Sequence, residues 1–335
     1  MSLQDPSGLH SVEGSTRHPA AERMQRSMIT EYHEIDEPGP PPEVEAWLVE
    51  REKTWQSAGV LLDEFIERFQ KGSFCKPYRL DQFIGLEIGP GMITTIGAPP
   101  STGKTASAMQ LVFEILGSNP GVLAYIANAE SSFDAIAMRE LSRRSSVGTR
   151  RMRRESLSIE EKDKVNLAYL GLRMEIEKVR WLGKQFSTEV LLDLRKQTPG
   201  LLVVDYLQKC APPTGDPKAA IQGLLNELRA FAQMNWAVLV LSATNRASGA
   251  NGNKQQAFRD SSEIEYQSDS AYVLSVDEGH ENAIDQNVTF SCVKNRWDTK
   301  EDLSLIYRKF EQRFERRNDF SGDFASEPSN PFGEA

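Results

Sequence analysis

Met92-Ile93-Thr94-Thr95-Ile96-Gly97-Ala98-Pro99-Pro100-Ser101-Thr102-Gly103-Lys104-Thr105 runs directly into Ala106 to Leu116. The first five residues are apolar or β-branched and read as a buried strand; the segment from Ala106 has helical spacing. Between them lies a Pro- and Gly-rich loop, Ala98 to Thr105, that fits the phosphate-loop pattern except that Ala98 stands at the first glycine position. Gly97 just before it supplies some backbone freedom. In such a strand–loop–helix unit the loop's backbone N–H groups, those of Ala98, Ser101, Thr102 and Gly103, and the helix start converge on phosphate, while Pro99 and Pro100 shape the loop without an N–H to donate. Lys104 would neutralise β- and γ-phosphate charge, and the Thr105 hydroxyl would ligate Mg²⁺, a hard cation that takes oxygen ligands.

Outward from this unit, short apolar runs alternate with helical segments, the pattern of an α/β fold with a mainly parallel sheet and crossover helices. Predicted strands are Met92 to Gly97, Gly121 to Asn128, Val179 to Leu182, Leu201 to Asp205, Ala237 to Ser242, Ser270 to Val276, Val288 to Val293 and Leu303 to Phe310. Leu201-Leu202-Val203-Val204 delivers Asp205 to the carboxyl edge of the sheet, where it would hold Mg²⁺ or its waters. Gly121 to Asn128 brings Glu130 to the same edge. Taken by itself, Glu130 reads equally as the polariser of an attacking water and as an acid at the start of the helical segment Ser131 to Ser145.

The motor core is expected over residues 75–317, with a disordered arm at 1–41, an amphipathic helical segment at 42–74 and a disordered acidic tail at 318–335. In the helical segment, Val60, Leu61, Phe65, Ile66 and Phe69 recur at three- and four-residue spacing. A chain of 335 residues with 39% hydrophobic content can bury its own core. Cys75, Cys210 and Cys292 lack metal-ligand or disulfide spacing, which suits a reducing cytoplasm. No apolar stretch approaches the roughly 20 residues of a membrane helix, so no membrane partner is expected. A net charge of −9 argues against non-specific coating of nucleic acid, and leaves room for a local basic loop. Arg143, Arg144, Arg150, Arg151, Arg153 and Arg154 form the densest basic cluster; a solvated face is its ordinary meaning.

Ile96 to Thr105, followed by Leu202-Val203-Val204-Asp205-Tyr206-Leu207-Gln208, resembles the motor domain of DnaB-type replicative helicases. Leu241-Ser242-Ala243-Thr244-Asn245-Arg246, Arg259-Asp260-Ser261-Ser262-Glu263-Ile264-Glu265 and Lys294-Asn295-Arg296 extend the likeness over roughly residues 60–310. The resemblance implies a RecA-like P-loop NTPase core that uses ATP and Mg²⁺, assembles as a homo-oligomeric, hexameric ring, and moves on single-stranded DNA with loader or replication partners. It implies that Glu130 activates water and that Lys294 and Arg296 reach into the neighbouring subunit's site, with Arg296 as arginine finger. It implies that the helix from Gln56 to Lys71 docks on an adjacent subunit, where its own periodicity equally allows packing on its own domain.

The polar loop from Arg246 to Arg259, with Asn251 and Lys254, would by the same resemblance face the channel and contact DNA phosphates. Two departures stand out. Ala243 occupies the place of a glutamine that in the family senses the γ-phosphate, and Thr244 or Asn245 could supply a donor only on a different backbone path. The family's helical N-terminal collar domain, which recruits primase, is expected to be lacking ahead of the motor. A RecA- or KaiC-like ATPase that assembles without unwinding, and an ATP-binding scaffold, are the competing readings.

Overall fold

The protein is described by a computed structural model covering residues 57–70, 76–154, 156–182, 187–211, 216–244, 262–281 and 283–317. The described residues begin with a helix, α1 (Ala58–Gln70), on which Val60, Leu61, Leu62, Ile66 and Phe69 are exposed.

The core is a nine-stranded sheet in the order β3-β2-β4-β5-β1-β6-β7-β8-β9. Its parallel part comprises β1 (Ile93–Ala98), β2 (Ala124–Asn128), β3 (Val179–Trp181), β4 (Leu201–Asp205), β5 (Ala237–Ala243) and β6 (Ser270–Val276). β7 (Asp285–Asn295), β8 (Leu303–Arg308) and β9 (Arg313–Arg316) continue it antiparallel. Among the described residues the further helices are α2 (Lys104–Ser118), α3 (Phe133–Ser145), α4 (Thr149–Arg153), α5 (Ile159–Ile176), α6 (Thr188–Leu194), α7 (Leu207–Cys210), α8 (Pro217–Gln233) and α9 (Ser262–Gln267).

Continuous apolar strands form because both faces are covered. Successive side chains of β4 go to opposite sides: Leu201 and Val203 join Leu111, Ile115, Ile136 and Leu172 under α2, α3 and α5, whereas Leu202 and Val204 join Leu225, Leu228 and Phe231 under α8. Helix starts are written in the sequence. Ser158 and Glu161 form a capping box on α5, and Asp216 caps α8 with Pro217 in its first turn.

Prediction and structure differ at the far edge. The run foreseen as one strand to Phe310 stops at Arg308, turns over 309–312 and returns as β9. Three of the four β9 residues are charged, so the return strand carries little apolar signal. Phe314 alone is fully buried, stacked on Tyr307 with centroids 4.3 Å apart. Gln110 of α2 closes this edge: its amide donates to the Phe314 carbonyl and its carbonyl accepts the Phe314 N–H, both at 2.8 Å.

Candidate functional site

Parallel pairing aligns the ends of the central strands. Ala98 stands opposite Ala243, and Asn128 opposite Asp205, so β1, β2, β4 and β5 deliver their last residues to one edge. From Ala98 the chain loops through Gly103, whose φ of +90° suits glycine, and α2 begins at Lys104 without a side-chain cap. The first-turn amides of α2 are thus left for an anion. The Thr102 hydroxyl donates to the Pro99 carbonyl at 2.8 Å and braces the loop. A cavity of about 350 Å³ opens here, lined by Ala98, Pro99, Pro100, Ser101, Gly103, Lys104 and Thr105, with Glu130, Arg139, Tyr206 and Ala243 opposite. Thr102 is buried behind the loop.

Asp205 is the deepest charged group at this edge, with no exposed surface. Its Oδ2 accepts from the Thr105 hydroxyl at 2.9 Å and from Asn128 Nδ2 at 2.8 Å. The Asn128 carbonyl oxygen in turn accepts the N–H groups of Glu130 and Ser131 at 2.9 and 2.7 Å, fixing the bend that carries Glu130 to the cavity. Burial pushes the Asp205 carboxyl above the usual carboxylate range, and the Thr105 hydroxyl and the Lys104 charge pull the other way. Burial lowers the Lys104 ammonium below the ordinary lysine value, opposed by the charges of Asp205 and Glu130. Lys104 Nζ stands 4.7 Å from the centre of the Tyr206 ring, a cation–π contact.

Asp205 Oδ1 is buried without a hydrogen-bond partner. An orphaned carboxylate oxygen beside a hydroxyl is a hard-oxygen donor set, so the residues fit Mg²⁺. Among the described residues no group of three or more His, Cys, Asp or Glu side chains gathers.

Lys104, Thr105, Glu130 and Asp205 therefore come together, and Lys294 and Arg296 do not join them. The latter pair follows the start of β6: Ser270 pairs with Asn295, and the Arg296 N–H donates to the Asp269 carbonyl. Asp269 also accepts the N–H of Ile93, the first residue of β1, whereas the loop leaves from Ala98 at its last. Five strand steps, about 16 Å, separate the two ends. Arg246, Asn251, Lys254 and Arg259 lie outside the described residues.

Two contributors were missed in the sequence. Arg139 lines the cavity, and its charge draws the Asp205 carboxyl down. It lies between buried Ile136 and Glu140 on α3, a position that marked it as inward-facing while its charge suggested a solvated face. Gln208 reaches across to β5, donating to Ser242 Oγ at 2.9 Å and accepting from the Ala243 N–H at 3.4 Å. The basic cluster divides: Arg143 and Arg144 pair with Glu140, Arg144 also with Glu175, and Arg151 with Glu161, while Arg150, Arg153 and Arg154 are exposed. No helix among the described residues is long and apolar enough to cross a membrane.

Comparison with known proteins gives a consistent result. The family model for the DnaB-like helicase C terminal domain matches residues 77–316. The replicative DNA helicase DnaB of Helicobacter pylori strain J99 is 26% identical over 180 residues, covering 51% of this chain and 36% of that protein. DnaB of strain ATCC 700392 / 26695 is 27% identical over the same shares. The chain thus spans about a third of the length of these curated relatives. Among solved structures, the ATPase domain of G40P superposes with a TM-score of 0.67 at 18% identity, over 78% of this chain and 99% of that one. The structure of a DnaB-like replicative helicase and its interactions with primase gives 0.63 at 17% identity, over 88% and 74%. The shared fold is the RecA-like ATPase core.

Proposed function

The chain belongs to the DnaB-like helicase C-terminal domain family, and from that premise we propose that it is an ATP-driven motor acting on single-stranded DNA, with each hydrolytic site completed by a neighbouring copy. One observation carries the reading. Lys104, Thr105 and Glu130 line a single cavity and buried Asp205 stands behind it, bonded to Thr105, while Lys294 and Arg296 stand at the opposite end of β1 from their own loop. A cation there can serve a γ-phosphate only in another subunit, so turnover becomes conditional on assembly.

In this proposal the loop amides and Lys104 hold the β- and γ-phosphates of ATP. Thr105 and Asp205 hold Mg²⁺, which when bound neutralises phosphate charge. Glu130 accepts the proton of the attacking water and Arg139 adds positive charge from the same subunit. Lys294 and Arg296 of the adjacent copy stabilise the charge that spreads over the transferred phosphoryl oxygens. The exposed apolar side chains of α1 dock on that neighbour in a hexameric ring, and Arg246, Asn251, Lys254 and Arg259 contact DNA phosphates.

Ala243 favours a second reading. It lines the cavity with a methyl group that cannot hydrogen-bond a phosphate, and the Gln208 amide is bonded to Ser242 and Ala243. An ATPase that assembles on DNA without separating strands fits that arrangement. Steady-state ATP turnover with and without single-stranded DNA, together with unwinding of a forked duplex, separates the readings. DNA-stimulated turnover with unwinding supports the motor; stimulated turnover without unwinding supports the second reading; no turnover by the assembled protein refutes both.

A further inference from the structure

Arg296 is half-exposed, yet it is held. Its NH1 donates to Asp269 Oδ1 at 3.0 Å, its NH2 to the Tyr266 carbonyl at 3.5 Å and its N–H to the Asp269 carbonyl at 3.0 Å. Lys294 Nζ donates to the carbonyls of Glu265 and Tyr266 at 2.7 and 3.0 Å. These carbonyls belong to the last turn of α9, and that of Glu265 also accepts the Ser268 N–H at 3.3 Å. Beneath them Asp269 is almost fully buried. Its Oδ2 accepts from the Ile93 N–H and from Arg229 NH1, each at 2.8 Å, tying it to the first residue of β1 and to α8.

Two long cations that would otherwise sample many rotamers are thus pinned to one small surface. Ordering a free arginine costs rotamer entropy. A side chain already ordered loses less when it meets phosphate. The contacts to Asp269 and Tyr266 use part of a guanidinium with five donors, leaving the others for a phosphate oxygen.

We propose that Asp269 and the C-terminal turn of α9 form a platform that positions Lys294 and Arg296 for entry into the neighbouring copy's nucleotide site. The inference rests on the intersubunit reading of those two residues. In sequence α9 follows directly on 245–261, the stretch that carries the four residues expected on DNA. A displacement of α9 therefore moves both cations at once.

The test is ATP turnover by the full chain carrying Asp269→Asn, with Arg296→Ala in parallel. Misplacement on the order of an ångström predicts a kcat loss of about tenfold to a hundredfold. The KM for ATP should stay within about twofold, because the phosphate loop is untouched. Asp269→Asn subunits mixed with inactive Lys104→Ala subunits should turn over faster than either preparation alone, since an intact platform then faces an intact loop. Asp269→Asn combined with Arg229→Gln removes the unpaired buried charge and restores packing; positioning predicts that the kcat deficit stays.

Wild-type kcat in assembled Asp269→Asn, no gain on mixing, or recovery in the double variant each overturns the platform. In the unaltered assembly with ATP, the amides of 294–296 should be protected from hydrogen exchange, and open-chain exchange there overturns it without any variant. Full turnover in assembled Arg296→Ala refutes the intersubunit reading itself. Loss in Arg296→Ala with none in Asp269→Asn refutes the platform alone.

Discussion

Two glycines of the same backbone class differ in what surrounds them. Gly103 has φ +90° and a methyl group there would meet Tyr307 Cε1 at 2.8 Å and Phe314 Cζ at 2.9 Å. Those rings are stacked face to face, 11° from parallel, and closed in by the core. Gly121 has φ +82° with nothing within 4 Å of such a methyl group. Left-handed strain on an alanine costs about 1 kcal/mol at either site. Forcing the stacked pair apart adds about 1–3 kcal/mol at Gly103. Gly121→Ala should therefore lose about 1 kcal/mol and Gly103→Ala about 2–4 kcal/mol. Urea unfolding of both variants, with m-values compared, measures the difference. Because Tyr307 also lines the cavity at the phosphate-loop residues, where ATP is proposed to bind, Gly103→Ala should bind a fluorescent ATP analogue more weakly, while Gly121→Ala should not. Equal losses in the two variants would refute the crowding argument.

Asp205→Asn should abolish turnover and yet stabilise the nucleotide-free protein by about 1 kcal/mol, or some 2–4 °C, in calorimetry, because it removes a charge that burial disfavours. The sign in pH follows: with the folded Asp205 carboxyl raised, the native state binds its proton more tightly, so wild-type stability declines as pH rises from the ordinary carboxylate value through the raised one. The slope of melting temperature against pH in that window should flatten in Asp205→Asn. Lys104, lowered by burial, should lose its charge at a lower pH than a free lysine, so ATP affinity measured by titration calorimetry should fall on the alkaline side earlier than in a protein with a solvated lysine. Gln110→Ala leaves the N–H and carbonyl of Phe314 without their partners and should cost about 2 kcal/mol or more in urea unfolding. Arg139→Ala should lower kcat by about tenfold to a hundredfold in single-turnover assays without changing assembly, since it lies in the cavity of its own subunit.

Much of the fold was legible because the central strands are buried on both sides and carry unbroken apolar runs. Leu201 to Asp205 and Ser270 to Val276 begin and end where their patterns do. Loop, strand ends and the gathering of Lys104, Thr105, Glu130 and Asp205 followed from parallel pairing, which puts every strand's last residue at one edge. What was not legible depended on partners distant in sequence. β9 exists because Phe314 stacks on Tyr307 and Gln110, some 200 residues earlier, closes its edge. Asp269 has the sequence look of any turn acid, and only the convergence of Ile93, Arg229 and Arg296 on its carboxylate distinguishes it. The separation of Lys294 and Arg296 from Lys104 likewise required the sheet register.

The central claim, a site shared between copies, is tested most directly by mixing. Lys104→Ala leaves a subunit with an intact Arg296, and Arg296→Ala leaves one with an intact loop, so each alone should be inactive in assemblies of normal mass. In an equimolar mixture about a quarter of the interfaces would join an intact loop to an intact arginine, and about a quarter of wild-type ATP turnover should return. A mixture as inactive as its components, with mixed assembly verified by mass, would contradict the account.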